Sequence, residues 1–116
     1  MDRLKSLKGI RKKLSSKKLS IGSWIQIPDP SVAEIVGKIG FEWVAIDLEH
    51  GSINISQLPN IFRALELGNT LPLVRIAQLE EKDCKQALDA GAAGLILPMI
   101  KNKDSLENII KYCKWP

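Results

Sequence analysis

Apolar, β-branched runs and helical patterns alternate four times between Leu19 and Tyr112, in units of about 25 residues joined by brief connections. This alternation excludes hairpins. Each strand must return parallel to the one before it by a right-handed crossover, with the helices laid over the sheet. The strand-like runs are Leu19 to Ile27, Trp43 to Asp47, Leu71 to Ile76 and Gly94 to Leu97. The first intervening helix starts at Pro30, which suits a first helical turn, and carries Val32, Ile35, Val36 and Ile39 to Gly40. The second carries Ile55, Leu58, Ile61, Phe62, Leu65 and Leu67 and stops at Gly68-Asn69, with Pro59 tolerated in its first turns. The third runs from Glu80 to Ala90 and closes on Gly91, and the last from Asp104 to Tyr112 with Leu106, Ile109 and Ile110 on one face.

Both an open doubly wound sheet and a barrel satisfy this order. The polar residues of separate strands tip the balance: Asp47 with His50, then Arg75, all fall at carboxyl ends, the active face of a parallel barrel. No Gly-rich phosphate loop follows the first strand, which leaves a nucleotide-binding reading weak.

The second run changes character abruptly. Trp43 to Ile46 has the composition of a buried strand, and at Asp47 it gives way to Leu48, Glu49, His50 and Gly51. His50 is the only histidine of the chain, three residues after a carboxylate close enough to fix its tautomer and raise its basicity. The bland alternative makes Asp47 a helix cap and Glu49 and His50 solvated loop residues.

The formal charge of +4 is unevenly spread. Residues 1–18 hold eight Lys or Arg against Asp2, a net +7, whereas the rest carries nine basic and twelve acidic residues, a net −3. A basic leader invites a nucleic acid or an anionic surface. However, Leu4, Leu7, Ile10 and Leu14 recur at helical spacing and no aromatic residue is interleaved for base stacking, so an amphipathic helix docked on the domain is expected, with no nucleic-acid partner. No apolar run approaches the ~20 residues that span a bilayer, and Cys84 and Cys113 are spaced for neither a metal knuckle nor a disulfide framework. A soluble protein of the reducing cytoplasm is expected, with residues 1–18 as leader helix and 19–116 as the barrel-like domain.

With these residues in view, the chain resembles the HpcH/HpaI aldolase family of metal-dependent pyruvate aldolases. The matching pieces are Gly22-Ser23-Trp24, Gly40-Phe41-Glu42-Trp43 leading into Ile46-Asp47-Leu48-Glu49-His50-Gly51, Pro72-Leu73-Val74-Arg75, Ala90-Gly91-Ala92 and Leu97-Pro98-Met99, in order from about Leu19 to the end. The resemblance implies a (β/α)8 barrel in which His50 is the base, Asp47 holds it, and Arg75 binds the carboxylate and developing enolate oxygen of a 2-oxo acid such as pyruvate, with an aldehyde as second substrate. Trp24 is expected at the pocket mouth or, equally, as an indole filling the core. A divalent metal, Mg or Mn, is implied as cofactor.

Length departs from that pattern. A barrel of this type takes roughly 250 residues, and this chain carries four units, the amino-terminal half. The family's metal-holding Glu and Asp come from later strands, beyond Pro116, and Glu49 is not a principal ligand in the family's pattern. Half a barrel leaves its first and fourth strands as open edges, so self-association or a complementary carboxyl-terminal half is expected. The expected function is a carbon-carbon lyase of aldolase type, inactive alone. A non-catalytic remnant or assembly module is the alternative.

Overall fold

The computed structural model describes residues 2–114. Met1, Trp115 and Pro116, the outer ends of the two expected segments, lie outside the described residues. The elements are α1 (Arg3–Ser15), β1 (Gly22–Ile25), α2 (Pro30–Gly37), β2 (Trp43–Asp47), α3 (Leu58–Glu66), β3 (Leu71–Arg75), α4 (Glu81–Ala90), β4 (Gly94–Ile96) and α5 (Lys103–Tyr112), with a 3-10 turn at Ile55–Gln57 leading into α3. The strands form one sheet in the order β1-β2-β3-β4, every neighbouring pair parallel.

Strand parity separates two faces. Ile25, Val44, Ile46 and Val74 join Leu58, Ile61, Leu65, Cys84, Ala87 and Ile109 in one buried core between sheet and helices. Each fully buried Leu or Ile there contributes about 1.5–3 kcal/mol of burial. The other parity, Trp24, Ala45, Asp47, Leu73 and Arg75, lies on the inner face. Gly22 sits directly across from Trp43, and a Cβ there would fall 2.1 Å from the indole.

The helices start where the chemistry allows. Asp2, Asp29 and Asn102 each accept a backbone N–H as N-caps of α1, α2 and α5, Asn54 and Gln57 close a capping box on the 3-10 turn, and Gly91 ends α4 at a positive φ.

Three apolar faces differ from expectation. In α2 the buried seam is Ala33 and Gly37, with Ile35 and Ile39 exposed. Small residues win because α2 approaches α3 backbone to backbone: a Cβ on Gly37 would lie 2.9 Å from the Leu65 carbonyl oxygen. Leu67 is likewise exposed, beyond the last turn of α3. In α1, Leu7 and Ile10 are half-buried, but Leu4 is 61% exposed and Leu14 65%. The docked face runs instead through Arg3, Ser6, Leu7, Ile10 and Lys13, and its two ends carry ion pairs: Arg3 Nη2 lies 2.6 Å from Glu66 Oε1 and Lys13 Nζ 2.6 Å from Glu42 Oε1. Both pairs are partly solvated and contribute at most about 1 kcal/mol each. The leader thus docks beside the amino-terminal ends of β2 and β3.

β1 is shorter than the apolar run that encodes it. Leu19, Ile21 and Ile27 are exposed, since β1 has a ladder partner on one side only.

Candidate functional site

The register of β2 and β3 pairs Asp47 with Arg75 at the carboxyl-terminal rim of the sheet. The two side chains meet side-on: Arg75 Nε donates to Asp47 Oδ1 at 3.1 Å and Arg75 Nη2 to Asp47 Oδ2 at 2.6 Å. Three further N–H groups of the guanidinium, two on Nη1 and one on Nη2, are not used by this pair. The guanidinium carbon lies 5.0 Å from the centroid of the Trp24 ring, a cation–π contact.

Asp47 is completely buried and saturated with donors. Besides Arg75, its Oδ1 accepts the backbone N–H groups of Glu49 and His50, each at 2.9 Å, while Oδ2 accepts Trp24 Nε1 at 3.0 Å and Gln26 Nε2 at 2.9 Å. Burial by itself pushes this carboxyl up, but the hydrogen bonds from Arg75, the His50 backbone, Trp24 and Gln26 together outweigh it and hold Asp47 well below the usual carboxylate range. The Arg75 guanidinium is correspondingly pushed up, first by its hydrogen bond to Asp47.

The structure corrects one expected contact. Asp47 meets the main chain of His50, not its imidazole. The chain turns back immediately after β2, so the carboxylate caps the first N–H groups of the turn and has no lone pair directed at the ring. The carboxylate nearest the imidazole is Glu49, whose Oε1 lies 3.6 Å from His50 Nε2 and 3.6 Å from Arg75 Nε, beyond hydrogen-bond range but within electrostatic reach. The His50 side chain is 60% exposed at the rim. Gly51 closes the turn at a φ of +100°, where a side chain would be strained.

Trp24 lies on the inner face, 39% exposed rather than filling the core, with its indole N–H on Asp47 and its ring against Arg75. Sequence reasoning missed Gln26. A signal existed, since Gln26 keeps the inward parity of Trp24 two residues earlier.

Among the described residues no group of three or more His, Cys, Asp or Glu side chains is placed to hold a metal ion. Asp47 has both oxygens taken up by N–H donors, which leaves Glu49 as a single carboxylate beside a guanidinium. This donor set does not fit a divalent cation, which takes several oxygen ligands. No helix among the described residues is long and apolar enough to cross a membrane.

A parallel four-strand sheet, helices over one face and ionisable groups gathered on the carboxyl rim define half of a (β/α)8 barrel. The sequence profile of the HpcH/HpaI aldolase/citrate lyase family matches residues 20–116, and the chain belongs to that family. It is 30% identical over 110 residues to a hydroxypyruvate/pyruvate aldolase of Roseobacter denitrificans, covering 95% of this chain and 43% of the relative. It is 34% identical to a hydroxypyruvate/pyruvate aldolase of Agrobacterium fabrum, covering 85% of this chain and 37% of that one. Among solved structures, citrate synthase SbnG superposes with a TM-score of 0.78 at 33% identity, over 88% of this chain and 42% of that one. An HpcH/HpaI aldolase from Desulfitobacterium hafniense superposes with a TM-score of 0.80 over 92% of this chain and 42% of that one, at 23% identity, and shares the fold. The chain spans about two fifths of the length of these proteins.

Proposed function

We propose that this chain is the substrate-binding half of an aldolase-type carbon-carbon lyase acting on 2-oxo acids. The observation that carries the reading is the side-on clamp of Asp47 on Arg75, which fixes the guanidinium while leaving part of its donor set for an incoming anion. A planar guanidinium suits a carboxylate and the adjacent oxo oxygen of pyruvate, and the same donors take up charge as that oxygen becomes an enolate oxygen. Trp24, with its ring against Arg75, would flank the bound anion. In the addition sense His50, solvated at the rim, takes a proton from the carbon next to the oxo group, that carbon bonds to the aldehyde carbon, and the proton passes to the aldehyde-derived oxygen; in cleavage the hydroxyl gives up its proton, the same carbon-carbon bond breaks and the enolate carbon is protonated. The roles of Asp47 in this reading are to orient Arg75 and to hold the backbone of the His50 turn. Family resemblance implies Mg or Mn as cofactor, held by carboxylates of later strands. The described residues of this chain do not form a site for it. Pyruvate and an aldehyde are its proposed substrates, as the names of the similar hydroxypyruvate/pyruvate aldolases suggest, and the cytoplasm its proposed compartment.

Titration with pyruvate, followed by NMR, tests the anion site. Weak saturable binding is expected for the wild type, weakened on the order of tenfold or more in Arg75→Met, since hydrogen bonds to charged groups contribute about 1.5–3 kcal/mol. His50→Ala should bind as the wild type does. Equal binding by Arg75→Met would remove the proposed anion site and favour a non-catalytic assembly module.

The same reading makes the chain a unit that seeks a partner. The β1 and β4 edges are each paired on one side only, and exposed apolar residues flank both: Leu19, Ile21 and Ile27 by β1, Met99, Leu106 and Ile110 by β4 and α5. Without a complementary carboxyl-terminal half, the isolated chain should self-associate through these flanks. Light scattering across a micromolar concentration series should show a mass above the 12.9 kDa of one chain. A compact monomer that also fails to bind a hydrophobic dye would count against it.

A further inference from the structure

We infer that Gln26 is a positioning residue of this site, bracing the Asp47–Arg75 pair and the turn that presents His50. The ligand in the test below rests on the 2-oxo-acid reading, but the brace itself is readable without any ligand. Gln26 lies just past β1 and touches both ends of the turn. At one end its Nε2 donates to Asp47 Oδ2 at 2.9 Å. At the other, a Cβ on Gly51 would lie 3.1 Å from Gln26 Cβ and 3.1 Å from its carbonyl oxygen, so the two segments run in close contact.

The residue type suits that task. Asp47 Oδ2 already takes Arg75 Nη2 at 2.6 Å and Trp24 Nε1 at 3.0 Å. A lysine or arginine at position 26 would compete with Arg75 for the carboxylate, and an ionised carboxylate would repel it. A neutral amide adds one hydrogen bond without changing the charge of the pair, which leaves the field of the guanidinium directed at an incoming anion. The ionisable groups gathered around it are Asp47 and Arg75 from the two strands and Glu49 and His50 from the turn.

Two measurements on the full chain test the brace: solvent exchange of the Arg75 Nε–H, read by NMR without ligand, and pyruvate affinity, each taken at pH 4.5 and pH 8 relative to the wild type at the same pH. In Gln26→Leu, Nε–H exchange should quicken and pyruvate affinity should fall, each by about three- to tenfold at both pH values, the loss expected for one ordinary intramolecular hydrogen bond. In Gln26→Glu the introduced carboxyl faces Asp47, so its pKa is held above the ordinary ~4.3. At pH 4.5 it is largely protonated and donates as the amide did, giving values within about twofold of the wild type. At pH 8 it is ionised and repels Asp47, giving a loss larger than that of Gln26→Leu. Rescue by a proton is a signature that loss of bulk alone does not produce. A Gln26→Leu chain matching the wild type in both measurements overturns the inference, as does a Gln26→Glu chain that tracks Gln26→Leu at both pH values. If the wild type fails to bind pyruvate while Gln26→Leu still quickens Nε–H exchange, the 2-oxo-acid reading falls and the brace stands.

Discussion

Deuterium exchange into the methyl group of pyruvate should stay at trace level with the 116-residue chain, with or without added Mg or Mn. It should rise by orders of magnitude only when the carboxyl-terminal half of a relative is supplied. The proton beside a ketone is weakly acidic, and imidazole removes it at a useful rate only when the charge arriving on the oxo oxygen is met by preorganised positive groups. Within this chain Arg75 is the positive group at that rim, and its charge is already shared with a buried carboxylate. Glu49 does not change this, because a lone carboxylate beside a guanidinium gathers no divalent ion. In the complemented protein, His50→Ala should lower the exchange rate by ~10²–10⁴-fold, the usual contribution of a positioned general base. Rapid exchange by the chain alone that disappears in His50→Ala would show the present residues to be sufficient. Absence of exchange after complementation, with both halves shown to associate, would point to an assembly module.

Asp47→Ala should lower the stability of the fold by about 3 kcal/mol, the low end of the cost of breaking a buried ion pair, because Arg75 keeps partial access to water. The loss follows from what the carboxylate satisfies. Without it the Glu49 and His50 N–H groups, the Trp24 indole N–H, the Gln26 amide N–H and two guanidinium N–H groups lose their acceptor together. Against total stabilities of ~5–15 kcal/mol this is a large fraction, and the urea midpoint should fall accordingly. The pH dependence has a definite sign. Asp47 titrates lower in the folded chain than in the unfolded one, so its contribution is fully present above the unfolded value of about 3.9 and is lost as pH falls through the lower folded value. Acid should therefore begin to cost the wild type this contribution only below about pH 4, and Asp47→Ala should lack that part of the acid limb. A midpoint unchanged by Asp47→Ala would mean that water replaces the carboxylate at the rim.

Strand β2 and strand β3 were legible because each is an apolar run that ends on a charge, and the alternation of units fixed their parallel pairing. Asp47, His50 and Arg75 could therefore be assigned to one carboxyl rim from sequence. The partner chosen by Asp47 could not. A carboxylate three residues before a histidine has the reach to meet either the ring or the main chain, and the tight turn closed by Gly51 decides for the main chain. The apolar residues of α1 and α2 misled for a related reason. Periodicity gives an arc of a helix, but the part of the arc that docks depends on partners distant in sequence: Glu66 and Glu42 for α1, and the Leu65 backbone for α2. Gln26 lay hidden as a single amide in the apolar run that precedes Pro28, and its meaning emerges only when the sheet sets β1 beside β2.

The in-register pairing of Asp47 with Arg75 also makes the sheet's frame unique. Parallel strands made mostly of aliphatic residues tolerate a slip of one position at little cost in composition, since Val44, Ile46 and Val74 would find apolar neighbours in either frame. A one-residue slip of β3 against β2 would set Val74 or Ile76 opposite Asp47 and turn Arg75 towards the helices. It would strand a carboxylate on one face and a guanidinium on the other, at several kcal/mol for each buried charge. The groups gathered at the carboxyl rim are thus also the ones that tell the folding chain when its strands are aligned.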